Sequence, residues 1–209
     1  MIDLYTWTTP NGRKISIMLE ELGIDYAVHP VNIQEGEQNT PEFLSIGPNN
    51  KIPVIVDQDT GLSVMETGAI LIYLAEKYGK FLPTDPMARA EVMEWLMWQM
   101  SGLGPMCGQA HYYLRNNPGK APHTEDRLRA EVARLYKVLD TRLEGREFIC
   151  ADYSIADMAC WPWVSRYEWH QVNLADHPNV RAWYQRLLQR KAVQKGYHVP
   201  KNVGEIPSG

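Results

Sequence analysis

The sequence predicts an α/β amino-terminal half followed by an all-helical carboxyl-terminal half, and three observations carry that prediction. Apolar residues alternate over 2–5, switch to helical spacing at Ile15, Met18, Leu19 and Leu22, and alternate again over 26–31, which is the pattern of a βαβ unit. Two apolar runs, 52–56 and 62–65, flank the turn signal Asp59-Thr60-Gly61 as an antiparallel hairpin. Beyond the proline-interrupted stretch 81–86 no convincing strand appears and helical spacing takes over. The expected organisation is one domain over residues 1–80 with element order βαβαββα around a mixed four-stranded sheet. A linker over 81–87 and a helical domain over 88–209 with a polar tail complete it.

Each element has a local cause. Gly23 stops the first helix, because glycine takes the left-handed C-cap conformation without a steric penalty. Thr40-Pro41-Glu42 places a capping hydroxyl before a proline at the first helical position, so a short helix begins at Phe43 and Leu44 and closes at Pro48-Asn49-Asn50. Pro53 falls at a strand's start, where a missing N–H is tolerated. From Glu66 onward Ile70, Leu71, Leu74 and Tyr78 form one helical face, which ends at Gly79.

In the second half, Met93, Met97 and Met100, beside Trp95 and Trp98, mark a helix whose methionines read as core packing. Gly102-Leu103-Gly104-Pro105 should kink or break it. Leu128, Val132, Leu135, Leu139 and Leu143 recur at alternating intervals of four and three, a long amphipathic helix stopped by Gly145. Ser154 and Asp157 form a capping box before a buried helix that contains Trp161 and Trp163. Val180, Trp183, Leu187 and Leu188 mark the last helix, and the weakly apolar stretch 196–209 is expected to wrap or fray.

Composition narrows the function classes. With 44% hydrophobic and 22% charged residues, seven Trp and eleven Tyr, the chain has the means to bury a core. A net charge of −4 with scattered Lys and Arg offers no footprint for nucleic acid or an anionic membrane, which points to small-molecule or protein partners. Cys107, Cys150 and Cys160 fall in no C-x-x-C or metal-ligand spacing and read as buried thiols in a reducing, cytoplasmic compartment. The six His show no ligand spacing on one helix face, so no metal is expected. Nucleotide-loop, serine-hydrolase and zincin motifs are absent.

The loop Thr9-Pro10-Asn11-Gly12 joins a strand to a helix N-terminus, where unpaired N–H groups and the helix dipole favour an anion such as a thiolate. In thioredoxin-like domains the same position carries Cys-Pro-x-Cys. Here Thr9 and Gly12 replace both cysteines, so any thiol must be brought by a ligand. Taken alone, these four residues serve as well for an ordinary turn and helix start. Ile52-Pro53 opens a strand where backbone groups can pair with an extended peptide. Glu66-Thr67 opens the next helix, suited either to an ordinary cap or to holding the ammonium and carboxylate of an amino-acid end.

Through Asn50-Lys51-Ile52-Pro53-Val54, Glu66-Thr67-Gly68-Ala69-Ile70 and Ser154-Ile155-Ala156-Asp157, nearly the whole chain resembles the glutathione transferase superfamily. The Thr-Pro-Asn-Gly loop, Gly102-Leu103-Gly104-Pro105-Met106 and Cys160-Trp161-Pro162-Trp163 resemble its bacterial nu-class branch, related to Ure2-like proteins and disulfide-bond reductases. The resemblance implies a thioredoxin-like domain, a homodimer, a cis bond before Pro53, and glutathione as co-substrate. It implies a glutathione site of Thr9, Asn11, Gln38, Lys51, Ile52, Pro53, Glu66 and Thr67, with Thr9 and Asn11 as the thiol-activating pair and Tyr5 structural. A basic side chain on the long helix, Arg127 or alternatively Arg129, is implied to reach the ligand.

A free thiol with a pKa near 8.5 is only about 3% thiolate at pH 7, and lowering that pKa to about 6.5 raises the share to about three quarters, at roughly 2.7 kcal/mol. A helix N-terminus supplies about 0.3 to 1 kcal/mol and a hydrogen bond to a charged acceptor about 1.5 to 3, so no general base is required. The expected activity is glutathione-dependent disulfide reduction, and the resemblance to the nu-class branch implies two glutathiones serving one exchange. Trp, Tyr and Met residues near Leu103 to Tyr113, with Trp7, serve either as an apolar wall or as core packing. The alternatives are conjugation of glutathione to small electrophiles and a non-catalytic glutathione-binding regulator.

Overall fold

β1 (Ile2–Thr6) buries Ile2 and Leu4 completely while Asp3 and Tyr5 alternate to the other side, and it occupies an inner position of the sheet. β2 (Tyr26–Pro30) pairs with it in parallel, Ile2 opposite Tyr26. β3 (Val54–Asp57) pairs antiparallel on its other side, Leu4 opposite Ile55, and β4 (Leu62–Met65) completes the order β2-β1-β3-β4. This computed structural model describes residues 1–209. The expected mixed four-stranded sheet and helical second half are both present.

α1 (Pro10–Leu22) fills the β1–β2 crossover and ends at Gly23, whose φ of 67° is left-handed. α2 (Pro41–Ile46) is capped by Thr40, and α3 (Thr67–Tyr78) stops at Gly79. The amphipathic spacing accounts for one face of α1 only. Arg13, Ser16 and Ile17 are buried as well, because α9 (Lys191–Tyr197), which the sequence reading did not contain, covers the opposite face, while Lys14 is buried toward Thr67 of α3. A Cβ at Gly196 would come within 2.6 Å of the Ile17 nitrogen. The Ser16 hydroxyl donates to the Gly196 carbonyl at 2.6 Å and Arg13 Nε to the Tyr197 carbonyl at 3.0 Å.

Two compact units result: Met1–Lys80 with Gln189–Ile206, and Phe81–Leu188 with Pro207–Gly209. The stretch assigned by sequence to the end of a helical domain at 209 is therefore divided, and most of it belongs to the compact unit that holds the sheet, with α9 against α1. Hydrophobic periodicity could not locate α9, since it buries only two apolar side chains, Val193 and Tyr197, and otherwise docks through one glycine and polar contacts.

In the second unit α4 (Pro86–Trp98) runs through a π-helical stretch (Gln99–Leu103) into α5 (Gly104–Ala110) and a second π-helical stretch (His111–Asn116). The expected break at Gly102–Pro105 is thus a change of helical register. Pro105 has no N–H to donate and its ring crowds the carbonyl four residues back, so a wider loop replaces the α-helical bond. The methionine stripe requires correction. The buried face of α4 carries Val92 and Leu96, followed by Gln99 and Leu103, whereas Met97 is 45% exposed. Apolar residues lie on several faces of this helix, so spacing alone did not select the inner one.

α6 (Pro122–Arg142) buries Leu128, Val132, Leu135 and Leu139 as its spacing predicts. α7 (Ile155–Val164) has both halves of its capping box: Ser154 Oγ accepts from the Ala156 N–H at 3.3 Å and Asp157 Oδ2 from the Ser154 N–H at 3.0 Å. α8 (Pro178–Leu188) buries Val180, Trp183 and Leu187. No helix is long and apolar enough to cross a membrane.

Candidate functional site

The site lies in the first unit, where the β1–α1 loop, the approach to β3 and the start of α3 meet. Two adjoining hollows of about 160 and 200 Å³ share Asn11, Lys51 and Ile52. One adds Asn49, Pro53, Met65, Glu66 and Thr67; the other adds Thr9, Ile33, Gln38 and Asn50. Eight residues singled out from sequence, Thr9, Asn11, Gln38, Lys51, Ile52, Pro53, Glu66 and Thr67, therefore line one continuous region.

Thr9 is the N-cap of α1. Its φ of −114° and ψ of 160° are extended, and its Oγ1 accepts the Gly12 N–H at 3.1 Å. A hydroxyl that accepts still has a proton to donate. Pro10 occupies the first helical position, so α1 opens with its N–H groups and dipole directed to the loop. Gly12 cannot be replaced by a residue with a side chain: a Cβ there would lie 2.3 Å from the Trp7 carbonyl oxygen and 2.5 Å from Thr6 Oγ1.

The Ile52–Pro53 bond is cis. The Ile52 side chain packs on a cluster of Val31, Phe43 and Val54, which anchors the residue while its remaining surface lines both hollows. Gln38 Oε1 is buried with no hydrogen-bond partner. An unmatched buried oxygen is costly, so an N–H from a bound molecule is the natural partner for it.

At the start of α3, Glu66 has a φ of 69°, uncommon for a residue with a side chain, and its Oε1 accepts from Asn49 Nδ2 at 3.3 Å. Thr67 is buried, and its Oγ1 accepts from the Lys14 ammonium at 3.2 Å. Sequence reading missed Lys14. Its one signal was position, since it sits one turn beyond Pro10 and Asn11 on the helix that builds the site. Tyr5 stacks on His29 with 4.5 Å between ring centroids and belongs to the packing of the sheet.

Arg127 and Arg129 belong to the second unit. Arg129 is held by Gln171 Oε1 and Asp126 Oδ1, both at 2.9 Å, and by Glu125 Oε2 at 3.3 Å. Arg127 lines a hollow with Met106, Ala130, Glu131 and Arg134. All three cysteines are free and buried. Burial pushes the Cys107 thiol up strongly and the Cys150 thiol to about 11, which disfavours a nucleophilic thiolate at either.

Known families and structures resemble this chain over most of its length. Residues 1–76 match the glutathione S-transferase N-terminal domain and residues 122–186 the glutathione S-transferase C-terminal domain. The chain is 48% identical over 198 residues to the disulfide-bond oxidoreductase YfcG of Escherichia coli, covering 92% of each chain. A Pseudomonas putida glutathione transferase, solved with one glutathione disulfide per subunit, superposes with a TM-score of 0.90 at 41% identity over 95% of this chain and 91% of that one. One from Burkholderia graminis, with two glutathione molecules per subunit, gives 0.88 at 43% identity over 96% of this chain and 88% of that one.

Proposed function

The chain belongs to the glutathione S-transferase family and is an enzyme of that kind, and from this premise we propose that it reduces disulfide bonds with bound glutathione as its source of thiol. One observation carries the reading. At the amino terminus of α1, Thr9 keeps a hydroxyl proton for an anion after capping the helix, and no cysteine of the chain stands there. The steric closure at Gly12 argues against a protein dithiol in this loop.

The lining fits a thiol tripeptide. The Glu66 carboxylate suits its ammonium group, Thr67 and the first N–H groups of α3 suit its α-carboxylate, the main chain of Ile52 suits its extended middle, and Gln38 Oε1 suits one of its N–H donors. Lys51 adds an exposed cation on the same wall. We assign Arg127 rather than Arg129 to ligand recognition, since three partners already engage the Arg129 guanidinium. The proposed assembly is a homodimer.

The exchange balances without a protein thiol. The glutathione sulfur, held as an anion by Thr9, Asn11 and the α1 terminus, attacks one sulfur of a disulfide. That S–S bond breaks as a mixed disulfide forms, and the departing thiolate takes a proton from water. A second glutathione thiolate cleaves the mixed disulfide, leaving glutathione disulfide and the second reduced thiol. The glutathione disulfide and the paired glutathiones in the two related structures support room for both halves.

The test pairs a crystal soaked in oxidised glutathione with kinetics on a small disulfide and on an aryl halide. Turnover of the disulfide well above that of the halide is expected. Faster conjugation of the halide would make the protein a transferase, and failure to bind either redox form of glutathione would remove the reading altogether.

A further inference from the structure

Beyond α9 the chain returns to Trp7, just ahead of the loop that carries Thr9. The helix is locked on α1 by Gly196 against Ile17, by the Ser16–Gly196 hydrogen bond, and by Arg13, whose guanidinium carbon lies 3.7 Å from the centre of the Tyr197 ring. From that anchor a short stretch carries Lys201 onto Trp7, with the ammonium 4.4 Å from the ring centroid. Trp7 directly precedes the Thr8-Thr9 loop, and its carbonyl accepts the Thr9 N–H at 2.7 Å. The tail thus seats a cation on the residue that fixes the loop carrying Thr9.

The charge balance around this loop is positive. Lys51 is exposed on one wall, the α1 terminus presents its dipole, Lys201 stands on Trp7, and Glu66 is the one carboxylate among the lining residues. A surface lysine resting on an aromatic ring adds modestly to folding stability. That alone would explain the contact, but the identity of the ring, two residues from Thr9, gives it a bearing on chemistry.

We propose that Lys201 is a specificity-determining residue that, from its seat on Trp7, favours disulfides with an excess of carboxylates over those bearing ammonium groups. The inference rests on the disulfide-reductase reading above and names the charge class of its substrate.

The experiment uses the full chain, with glutathione as the thiol donor and three disulfides of similar size: dithiodipropionate (anionic), hydroxyethyl disulfide (neutral) and cystamine (cationic). The ratio of kcat/KM for dithiodipropionate to that for cystamine is the readout. In Lys201→Glu it should fall about tenfold or more, mainly through KM, and the difference should shrink as salt rises. Lys201→Arg should keep the parent ratio. An unchanged ratio in Lys201→Glu, or an equal loss in Lys201→Arg, overturns the assignment. A parent enzyme inert toward all three disulfides overturns the reductase reading and Lys201's role with it, whereas an active parent with an unmoved ratio overturns Lys201 alone.

Discussion

Replacing Thr9 with Ala removes two interactions of one side chain. The hydroxyl caps α1 through Gly12 at 3.1 Å, and loss of a threonine N-cap costs about 1 kcal/mol of folding stability. The same hydroxyl proton, in our reading, is given to a sulfur anion, an interaction of about 1.5 to 3 kcal/mol. At about 1.36 kcal/mol for each pK step, a bound thiol titrating near 6.5 would then titrate at about 7.5 to 8.5. A more basic thiolate is also more nucleophilic, by about the half-power of that change, so at pH 7 the two effects cancel for the smaller shift and leave the variant only about two- to threefold slower for the larger.

The pH profile is therefore the sharp readout. At about pH 6 the variant should be roughly two- to eightfold slower than the parent, and at about pH 9 faster, so the curves cross. Thr9→Asp separates the two roles: Asp caps a helix as well as Thr, so folding stability should hold. Its negative charge beside the sulfur should push the thiol pKa up further. Thiolate absorbance of bound glutathione and kcat/KM across pH supply the assay. An acid limb unmoved in Thr9→Ala, or a Thr9→Asp variant as active as the parent near pH 6, would refute the donor role.

Other outcomes follow from the same structure. Gly12→Ala forces a Cβ to within 2.3 Å of the Trp7 carbonyl oxygen, so the urea midpoint should drop by the equivalent of about 1 to 3 kcal/mol or more; an unchanged midpoint contradicts the packing described. Replacing Cys107, Cys150 and Cys160 together with Ala should leave glutathione-dependent turnover in place, because all three are buried; a folded triple variant without activity would make a protein thiol the nucleophile. Asp157 is fully buried, and burial pushes its carboxyl up to about 6 against donors from Ile149, Trp183 and Ser154. The folded state therefore holds a proton that the unfolded chain has already lost. Stability contributed by this group is greatest below about pH 4, declines as pH rises toward about 6 and is level above, by roughly 3 kcal/mol in all. Asp157→Asn should abolish that slope in denaturation measured across the window, and a parallel pair of curves would argue that the carboxyl titrates normally.

Much of the first unit was legible because its signals are local. Gly23 and Gly79 end helices at left-handed φ, Thr40 caps α2, and the alternation over 2–5 places Ile2 and Leu4 in the core. The candidate site could be proposed from sequence for a related reason. Thr9 and Thr67 each sit at a helix start, where unsatisfied backbone donors make the residue type chemically informative whatever the rest of the fold does. Our preference for Arg127 over Arg129, first drawn from the resemblance, gains support from Asp126, Glu125 and Gln171 around the latter, contacts that sequence does not display because Gln171 lies 42 residues away. The register change at Pro105 was foreseen as a break because sequence shows the missing donor but not how neighbouring carbonyls are satisfied.

What sequence could not show is the back of the site, and there the reason is distance along the chain. The contacts that bury α1's second face join residues 180 and 184 positions apart, Ser16 to Gly196 and Arg13 to Tyr197. None of these residues is apolar enough to announce a core position, and Arg13 and Lys14 would be placed in solvent by any hydropathy argument. Their burial makes sense only when the partners are present: a main-chain carbonyl and an aromatic face for Arg13, the Thr67 hydroxyl for Lys14. The helix whose first turn is assigned to a sulfur anion is thus clamped just beyond that turn by two buried cations with specific partners. α9, which supplies part of that clamp, also delivers Lys201 to Trp7. Changes in α9 should accordingly register at the loop, because α1 has no solvent-facing side left along which to yield.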